Sequence, residues 1–344
     1  MNKQKKANPF NADYSDRYTL PPDADSFHNN SQYFSIHDAA SRRTLYMRLA
    51  VRGGDAPDEV WLVYREGDGP VYIAGKDHIS KGEKIPASIE CIEGGKELRF
   101  RYWGNLKRGK LTDKGYVPDP DSPDFPVDLD ARFYGKTQAF EFSRHMSTEP
   151  VARALSKEKF TKDFQAALAE NHQVHFEQAG LVSGILKLEG RDIVFEKARA
   201  FRDHSYGKRD WGYMDRHIWL VGLLENGDFF HTSLIRYPAI RNLQAGFYTA
   251  GEGDEEKTVC LKNSTSMDDL PLNGGVPPAF SFTVEYEDGK KRRVECTLDF
   301  TVPFDFGGGA YFLSEGVSEF TVDGLKGRGI TEFGYNADSS RWNP

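Results

Sequence analysis

The chain has 344 residues, with 45 Lys and Arg against 52 Asp and Glu, which gives a net charge of −7. This length fits about two domains, and the scattered basic residues form no basic face of the kind that nucleic acid requires. No run reaches the ~18 apolar residues of a membrane helix, and no apolar stretch follows the polar residues 1–8, so we expect neither a membrane span nor a signal peptide.

The three cysteines are far apart in the sequence, at Cys91, Cys260 and Cys296. Their odd number and their spacing give neither a disulfide framework nor a zinc motif, which favours a reducing compartment. The sequence also lacks a Walker loop, a dinucleotide-binding glycine motif and a serine-nucleophile elbow. We therefore predict a cytoplasmic protein that needs no cofactor.

Polar residues 1–30 predict an arm that lies outside the core. Apolar and polar residues alternate in the first clear strand, 45–52, and further strands are predicted at 60–65, 71–74, 97–103 and 138–143. Residues 104–130 contain several prolines and predict a long loop, of the kind that often covers a site. These segments define a first β domain at residues 31–150.

One helical period separates this series from the next. Ser156 is a candidate N-cap, and Phe160, Phe164 and Leu168 recur at helical spacing, which predicts a helix near 157–169. We interpret residues 151–171 as a helical connector between two β units.

A second series of alternating strands occupies residues 172–336, and residues 337–344 are a tail. Asn226-Gly227 between two apolar runs indicates a hairpin. Asp288-Gly289 turns another pair of strands. Two meandering antiparallel units joined by a short helix predict an all-β protein of paired barrels or sandwiches, not a parallel sheet.

The most unusual stretch is the charged segment 202–212, which reads Arg-Asp-His-Ser-Tyr-Gly-Lys-Arg-Asp-Trp-Gly. Such a density of opposite charge is costly to bury unless the groups pair with one another. One interpretation is an ion network that clamps the end of a barrel. The other is an acid/base site in a cavity, because perturbed titratable groups collect where chemistry happens. The sequence alone leaves both interpretations open.

If the charged segment lines a cavity, Asp203 and Asp210 are the candidate proton donors and His204 is a further candidate catalytic residue. Burial raises the pKa of a carboxyl group and suits it to protonate an alkene, whereas a paired arginine lowers that pKa and makes the acid an anchor. In an extended strand Asp203 faces opposite to His204, which allows the two acids different roles.

The candidate ligand-binding residues combine charged groups with aromatic rings: Arg202, Tyr206, Arg209, Trp211, Glu177, Trp219 and Glu332. Aromatic faces stabilise a nearby cation by ~1–2 kcal/mol each. Alternatively, Trp219 and the phenylalanines near it pack in the core of a barrel and bind no ligand. Glu332 is included because it ends a Gly-x-Gly-x-x-Glu strand, whose glycines allow close approach of neighbouring backbone.

A metal site would need several histidines and an acid to converge: His172, His175, Asp203, His204, His217 and His231. Their spacing matches no strong zinc motif. A single histidine is more often a hydrogen-bonded strand residue, and His217 and His231 flank the predicted hairpin, where they would pair. We therefore predict no metal site.

Residues 175–212 resemble a known family. The run Arg202-Asp203-His204-Ser205-Tyr206-Gly207, with Arg209 two residues on, is similar to the motif Arg-Asp-His-Ser-Trp-Gly-x-Arg of the carotenoid 1,2-hydratases (hydroxyneurosporene synthases) and AttH-like proteins. Residues 327–332 are similar to that family's closing Gly-x-Gly-x-x-Glu. The resemblance extends more loosely over residues 31–336, and Tyr206 stands where the family usually has Trp.

This resemblance implies two tandem lipocalin-like (calycin-type) barrels and an apolar ligand, such as a carotenoid, a tocopherol precursor or a polyene. A closed barrel of about eight strands can hold one small ligand. Three hypotheses follow: a cofactor-independent hydratase (lyase), cyclase or isomerase; a non-catalytic carrier of a lipid or other apolar ligand; and an interaction module with filled barrels. A cavity would exclude the third, and an acid that points into the cavity would favour the first over the second.

Overall fold

The computed structural model describes residues 12–170, 173–251, 255–264, 267, 270 and 273–342. The polar residues 1–8, the end of the tail and His172 lie outside the described residues. Antiparallel strands dominate the fold, as the alternating patterns predict.

The first twelve strands belong to one sheet system. In chain order they are β1 (His28–Asp38), β2 (Arg43–Arg52), β3 (Asp58–Glu66), β4 (Tyr72–Ala74), β5 (His78–Ile79), β6 (Ala87–Glu93), β7 (Glu97–Thr112), β8 (Gly115–Pro118), β9 (Phe125–Gly135), β10 (Phe140–Glu141), β11 (Gln173–Leu188) and β12 (Arg191–Lys208). Eight of them close into a ring in which each pairs with the next and the last with the first: β1, β2, β3, β4, β7, β9, β11 and β12.

The remaining eight strands close into a second antiparallel barrel. They are β13 (Arg216–Leu224), β14 (Phe229–Arg236), β15 (Leu243–Ala250), β16 (Lys257–Ser264), β17 (Ala279–Tyr286), β18 (Lys291–Phe306), β19 (Tyr311–Val322) and β20 (Leu325–Asn336). They follow chain order around the barrel, and β20 pairs with β13 to close it. The fold class is therefore the predicted one, with two tandem lipocalin-like antiparallel barrels.

The change from one barrel to the other falls inside the charged segment 202–212. Strand β12 ends at Lys208, one turn of 3-10 helix follows at Trp211–Tyr213, and β13 begins at Arg216. The predicted division into 31–150 and 172–336 does not coincide with this change. Strands β11 and β12 cover the edges of β9 and β1 in the first barrel, which would otherwise remain open to solvent.

Four α-helices lie in the described part of the chain: α1 (Ala12–Asp16), α2 (Phe142–His145), α3 (Thr148–Leu155) and α4 (Lys162–Glu170). The predicted connector thus holds more than one helix. Helix α3 begins after Ser147, which caps it, whereas the predicted cap, Ser156, follows its end. Arg153 fixes α3 to β16 through a 2.8 Å hydrogen bond to the Asn263 side chain. None of the helices in the described ranges is both long and apolar enough to span a bilayer.

The predicted loop at residues 104–130 is mostly strand. Strand β7 continues to Thr112, the chain returns as β8, and β9 begins at Phe125. The prolines misled the prediction because they occupy positions where strands tolerate them. Pro126 lies one residue beyond the part of β9 that pairs with β11, so a strand flanks it on one side only.

Apolar side chains fill the interior of each barrel. Phe34 stacks on Phe100 at 4.4 Å in the first, and Phe333 belongs to the core of the second. A third apolar cluster lies between the barrels, where Trp61 of β3 stacks on Phe304 of β18 at 3.8 Å. The barrels are thus packed by their own side chains, and this third cluster surrounds the space in which the site lies.

Candidate functional site

A row of side chains crosses five neighbouring strands of the first barrel on the face that contacts the second. The register aligns Glu177 of β11 with Asp203 of β12, and Asp203 with Tyr33 of β1. The row continues through Arg48 of β2 to Trp61 of β3. Side chains directly opposite one another in an antiparallel sheet share a face. The sheet therefore gathers two carboxyl groups, a phenol, a guanidinium and an indole on one surface.

A second row lies on the facing surface of the other barrel. Glu315 of β19 aligns with Glu332 of β20, and Glu332 with Trp219 of β13. Ser233 of β14 continues this row. The second barrel thus contributes two more carboxyl groups, next to each other, and a second indole.

Two buried hydrogen bonds join these rows. The Tyr33 hydroxyl donates to Glu315 Oε1 at 2.5 Å, and the Trp219 indole N–H donates to Glu177 Oε1 at 2.7 Å. Each bond runs from one barrel to the other, so the four carboxyl groups are held in a fixed arrangement across the interface.

An inner chamber of about 110 Å³ lies between the rows. The first barrel lines it with Tyr33, Arg48, Trp61, His175 and Asp203, and the second with His217, Trp219, Phe306, Leu313 and Glu332. An engineered apolar cavity of ~150 Å³ holds one benzene molecule. The inner chamber therefore has room for a small group of atoms, not for a whole isoprenoid.

An outer chamber of about 290 Å³ adjoins the inner one and shares His175, Arg209 and Trp219 with it. Most of its further walls are apolar, and they include Phe142, Met146, Met214, Ile240 and Leu243. Together the two chambers suit a molecule with a small reacting end and a larger apolar body.

Burial raises the pKa of each of the four carboxyl groups. Asp203 and Glu332, which line the inner chamber, each reach a pKa of about 7, although Arg209 and Arg48 lower both values. Burial also raises the pKa of Glu177 well above its ordinary value, and the charge of Asp203 adds to this effect. A carboxylic acid that remains protonated near neutral pH can serve as a general acid.

Glu315 and Glu332 form a pair of hydrogen-bonded carboxyl groups on adjacent strands. Burial and then the charge of Glu332 raise the pKa of Glu315 well above its usual range. Two carboxylates in contact cannot both ionise cheaply. Glu315 therefore keeps the proton and Glu332 is the member of the pair that titrates.

His217, on strand β13, is hydrogen-bonded to the Glu332 member of this pair. Its Nδ1 lies 2.6 Å from the Tyr311 hydroxyl, and its Nε2 shares a short hydrogen bond with Glu332. Burial and the nearby Arg209 lower the pKa of His217 to about 3. The imidazole is therefore neutral, with one nitrogen as donor and the other as acceptor, and it can pass a proton between Tyr311 and Glu332.

Two further histidines surround Glu177. His175 Nε2 lies 3.7 Å from Glu177 and 3.8 Å from Asp203, and His231 Nε2 lies 3.5 Å from Glu177. Burial lowers the pKa of His175 to about 3 and that of His231 well below its ordinary value. Neutral imidazoles beside neutral carboxyl groups keep charge out of this buried region.

Most of the predicted site residues meet at the chambers. Those that line them are Asp203, Arg209, Asp210, Trp211, Trp219 and Glu332. Glu177 lies directly behind this surface and is held by Trp219. The charged segment supplies four of the lining residues because it is the crossing between the barrels.

Arg202, His204 and Tyr206 face away from the chambers, because alternate residues of β12 point to opposite sides. Arg202 makes a bidentate ion pair with Asp16 at 2.6 and 3.0 Å, and both side chains are fully buried. Although burial opposes it, this pairing lowers the pKa of Asp16. His204 bonds to Asn30 at 2.8 Å. These contacts are the barrel-end clamp, one of the two interpretations of the segment.

The same contacts revise the prediction of a polar arm at residues 1–30. Helix α1 delivers Asp16 to the clamp, and Tyr18 stacks on Tyr206 with ring centroids 4.1 Å apart. This part of the N-terminal segment therefore closes the end of the first barrel. Nothing in the local sequence distinguishes Asp16 from its acidic neighbours.

Asp210 is exposed and lines the outer chamber, not the inner chamber that Asp203 lines. Its carboxyl group accepts a 2.8 Å hydrogen bond from the Gly212 N–H and caps the 3-10 turn. The structure therefore assigns this candidate proton donor a role in the turn between the barrels.

Several residues of the site were not predicted from the sequence. Glu315 carried a usable signal, since it occupies the buried position between Leu313 and Val317, where an apolar residue is expected. Arg48 and Trp61 carried no such signal, because charged and aromatic residues are common in strands. Only the sheet register brings them to Asp203.

Among the residues that the structure describes, no group of three or more His, Cys, Asp or Glu side chains is arranged to hold a metal ion. The histidines near the chambers, His175, His217 and His231, instead contact carboxyl groups or a tyrosine. Of the histidines considered for a metal site, His172 lies outside the described residues.

Comparison with known proteins identifies the family. A family model described as a domain of unknown function (DUF7064) matches residues 13–337, so the chain belongs to that family. No curated protein matches the sequence.

Two solved structures share the architecture. An AttH-like protein from Nitrosomonas europaea is 14% identical, with a TM-score of 0.50 over 92% of this chain and 97% of its own. Kievitone hydratase from Nectria haematococca is 10% identical, with a TM-score of 0.52 over 94% of this chain and 95% of its own. At these identities the likeness shows the fold, which agrees with the resemblance to AttH-like proteins seen in the motifs.

Proposed function

We propose that this member of the DUF7064 family binds an apolar or amphipathic small molecule between its barrels and hydrates, cyclises or isomerises it by acid/base chemistry. The ligand has an isoprenoid- or polyene-like body. The observation that carries the proposal is that Asp203 and Glu332, each with a pKa of about 7, line the same small chamber.

Asp203 is the proposed proton donor. Its carboxyl group lines the inner chamber. Among the described ion pairs its partner is His175, whose Nε2 lies 3.8 Å from Asp203 Oδ2. A raised pKa keeps the proton on the acid, and the absence of a strong hydrogen bond leaves that proton available to a substrate. Transfer to a carbon–carbon double bond breaks the Asp203 O–H bond and forms a C–H bond.

Glu332 is the proposed proton acceptor. In a hydration, water adds to the cationic carbon and gives its proton to the Glu332 carboxylate. In an isomerisation, Glu332 removes a proton from a neighbouring carbon instead. His217 and Glu315 are bonded to Glu332 and assist its return to the starting state. Glu332 then releases its proton to solvent and Asp203 regains one from solvent, so each cycle conserves protons.

The walls of the chamber suit this chemistry. Trp61, Trp211 and Trp219 present aromatic rings that stabilise a positive charge by ~1–2 kcal/mol each. The small inner volume limits how much water accompanies the substrate. The hydratase of the same fold supports hydration as one of the candidate reactions.

Two experiments test the proposal. Mass spectrometry identifies small molecules that co-purify with the protein, and the captured ligand is then incubated with the protein in D₂O. We expect a product that gains the mass of heavy water or carries deuterium on carbon. Asp203→Asn and Glu332→Gln keep the side-chain shapes, and each should lower turnover by ~10²–10⁴. The matched control is Asp192→Asn, an exposed acid at the start of β12 that lines neither chamber.

The outcomes separate the hypotheses. A ligand that the wild type and the variants all bind, and that the wild type does not convert, identifies a carrier. A ligand whose conversion is unaffected by both Asp203→Asn and Glu332→Gln refutes the assigned acid and base. Failure to find any ligand at the chambers favours an interaction module.

A further inference from the structure

Arg209 is the guanidinium at the junction of the two chambers, and it lines both. Its Nη2 donates a 3.2 Å hydrogen bond to Ser205 Oγ, and its guanidinium lies 4.7 Å from the centre of the Trp211 ring. Its Nε is shielded from solvent and has no hydrogen-bond partner among the described residues. The side chain is thus held in position with donor capacity to spare.

Two other buried arginines, Arg48 on the chamber side and Arg202 on the opposite side of the same sheet, each have a carboxylate partner. Arg202 is paired with Asp16, and Arg48 is paired with Glu59. Within the described ranges, Arg209 forms no ion pair with a carboxylate. A partly buried cation with an unused N–H normally needs an anion or an acceptor nearby.

We infer that Arg209 binds an acidic oxygen of the ligand, so that the substrate class is an apolar small molecule that carries a carboxylate, or a phenol or enol that ionises on binding. This inference rests on the proposed function, because it places the same ligand in the same chambers. It adds the charge of the ligand and the orientation in which it binds.

The geometry fixes that orientation. With the acidic oxygen at Arg209, the apolar body lies in the outer chamber among Met146, Ile240 and Leu243. The end to be protonated then enters the inner chamber beside Asp203 and Glu332. Stacking on Trp211 presents the guanidinium edge, with its N–H groups, to an oxyanion, which is how arginine recognises planar anions.

Three probes of one shape test the inference by isothermal titration calorimetry on the full-length protein. 2-Naphthoate carries a carboxylate, 2-naphthamide is its neutral counterpart, and 2-naphthol is a phenol. We expect the wild type to bind 2-naphthoate at least about tenfold more tightly than 2-naphthamide, as a charge-assisted bond provides. In Arg209→Gln that preference disappears, while the affinity for 2-naphthamide stays within about twofold, since the variant removes only the charge-assisted bond.

Arg42→Gln is the matched control. Arg42 lines a separate cleft of about 760 Å³, which is the alternative binding place for 2-naphthoate on the molecule. The control removes one positive charge and should leave 2-naphthoate binding unchanged. Loss of binding in Arg42→Gln and not in Arg209→Gln assigns the anion to that cleft and overturns the inference.

The inference is also overturned if the wild type does not discriminate the carboxylate from the amide, or binds neither at millimolar concentration. Preference for 2-naphthoate over 2-naphthol identifies a carboxylate ligand, and the reverse identifies a phenol or enol. Asp203→Asn should bind 2-naphthoate like the wild type. An Arg209-dependent anion site therefore stands even if the proposed reaction fails, and the reaction stands if only the anion preference fails.

Discussion

Tyr33 of the first barrel and Glu315 of the second are 282 residues apart in the chain and share a buried hydrogen bond of 2.5 Å. Glu315 also lies beside Glu332 on the adjacent strand. This carboxyl group thus depends on Tyr33 and on its neighbour Glu332. The bond therefore links the position of the Glu315–Glu332 pair to the contact between the two barrels.

Tyr33→Phe should lower the free energy of unfolding by ~1–3 kcal/mol, because it leaves a buried acceptor without its donor. The measurement is urea-induced unfolding followed by tryptophan fluorescence. Tyr46→Phe is the matched control, since Tyr46 is equally buried beside Tyr33 and its hydroxyl has no partner among the described residues. Equal losses in the two variants would show that the bond to Glu315 is not the cause.

The clamp at the end of the first barrel gives a second stability prediction. Asp16→Asn removes the charge that Arg202 requires and should cost ~3–5 kcal/mol, as breaking a buried pair does. Thermal unfolding and the rate of proteolytic cleavage near residue 16 both report it. Asp13→Asn is the control within the same helix, because the Asp13–Arg17 pair is exposed. Comparable effects at the two positions would argue against the clamp.

The alternation of β12 explains how much of the site the sequence could reveal. Successive side chains of a strand point to opposite faces, so Asp203 lies on one face and Arg202 and His204 on the other. Their different surroundings therefore follow from strand geometry alone. The sequence could not show which side faced the site. That depends on the second barrel, which covers the Asp203 side, and on Asp16, which covers the other.

The location of the site could not be predicted, for a related reason. A closed barrel suggested a ligand inside it, but Phe34 and Phe100 fill the first barrel. The acid at Glu315, on an otherwise apolar buried face, was the one local signal in β19. Its meaning depends on Tyr33 in β1, and no local pattern predicts a contact between strands so far apart in the chain.

Asp203 should make stability depend on pH with a defined sign. Its pKa is 3.8 ordinarily and about 7 in the folded protein, where burial raises it. Between these values the folded state holds a proton that the unfolded state has lost, so this group's contribution falls as pH rises and is constant above the folded pKa. The slope is at most ~1.4 kcal/mol per pH unit.

Asp203→Asn removes this contribution. The variant should resemble the wild type at low pH and become progressively more stable relative to it up to neutral pH. Urea unfolding at pH values of about 4.5, 6 and 8 spans the window between the two pKa values. Asp210→Asn, at the exposed turn, should follow the wild type throughout. A constant difference between Asp203→Asn and wild type would mean that Asp203 is ionised in the folded protein.

The place of His217 in the proton network depends on Gly334. The His217 ring packs over the backbone at Gly334, where a Cβ atom would lie 2.3 Å from ring carbon Cε1. Gly334→Ala should therefore displace the imidazole from Glu332 and Tyr311, at a cost of ~1–3 kcal/mol in stability for the overpacking. The hydrogen-bonded ring N–H should lose its protection from solvent exchange.

Proton NMR tests this directly, because a ring N–H held in a buried hydrogen bond exchanges slowly and gives a resolved signal downfield of the amides. Comparison with His217→Asn assigns that signal. Gly75→Ala is the control, since a Cβ atom there meets nothing closer than 3.8 Å. A protected signal that survives in Gly334→Ala would show that His217 keeps its hydrogen bond without this close approach, and that another contact sets its position.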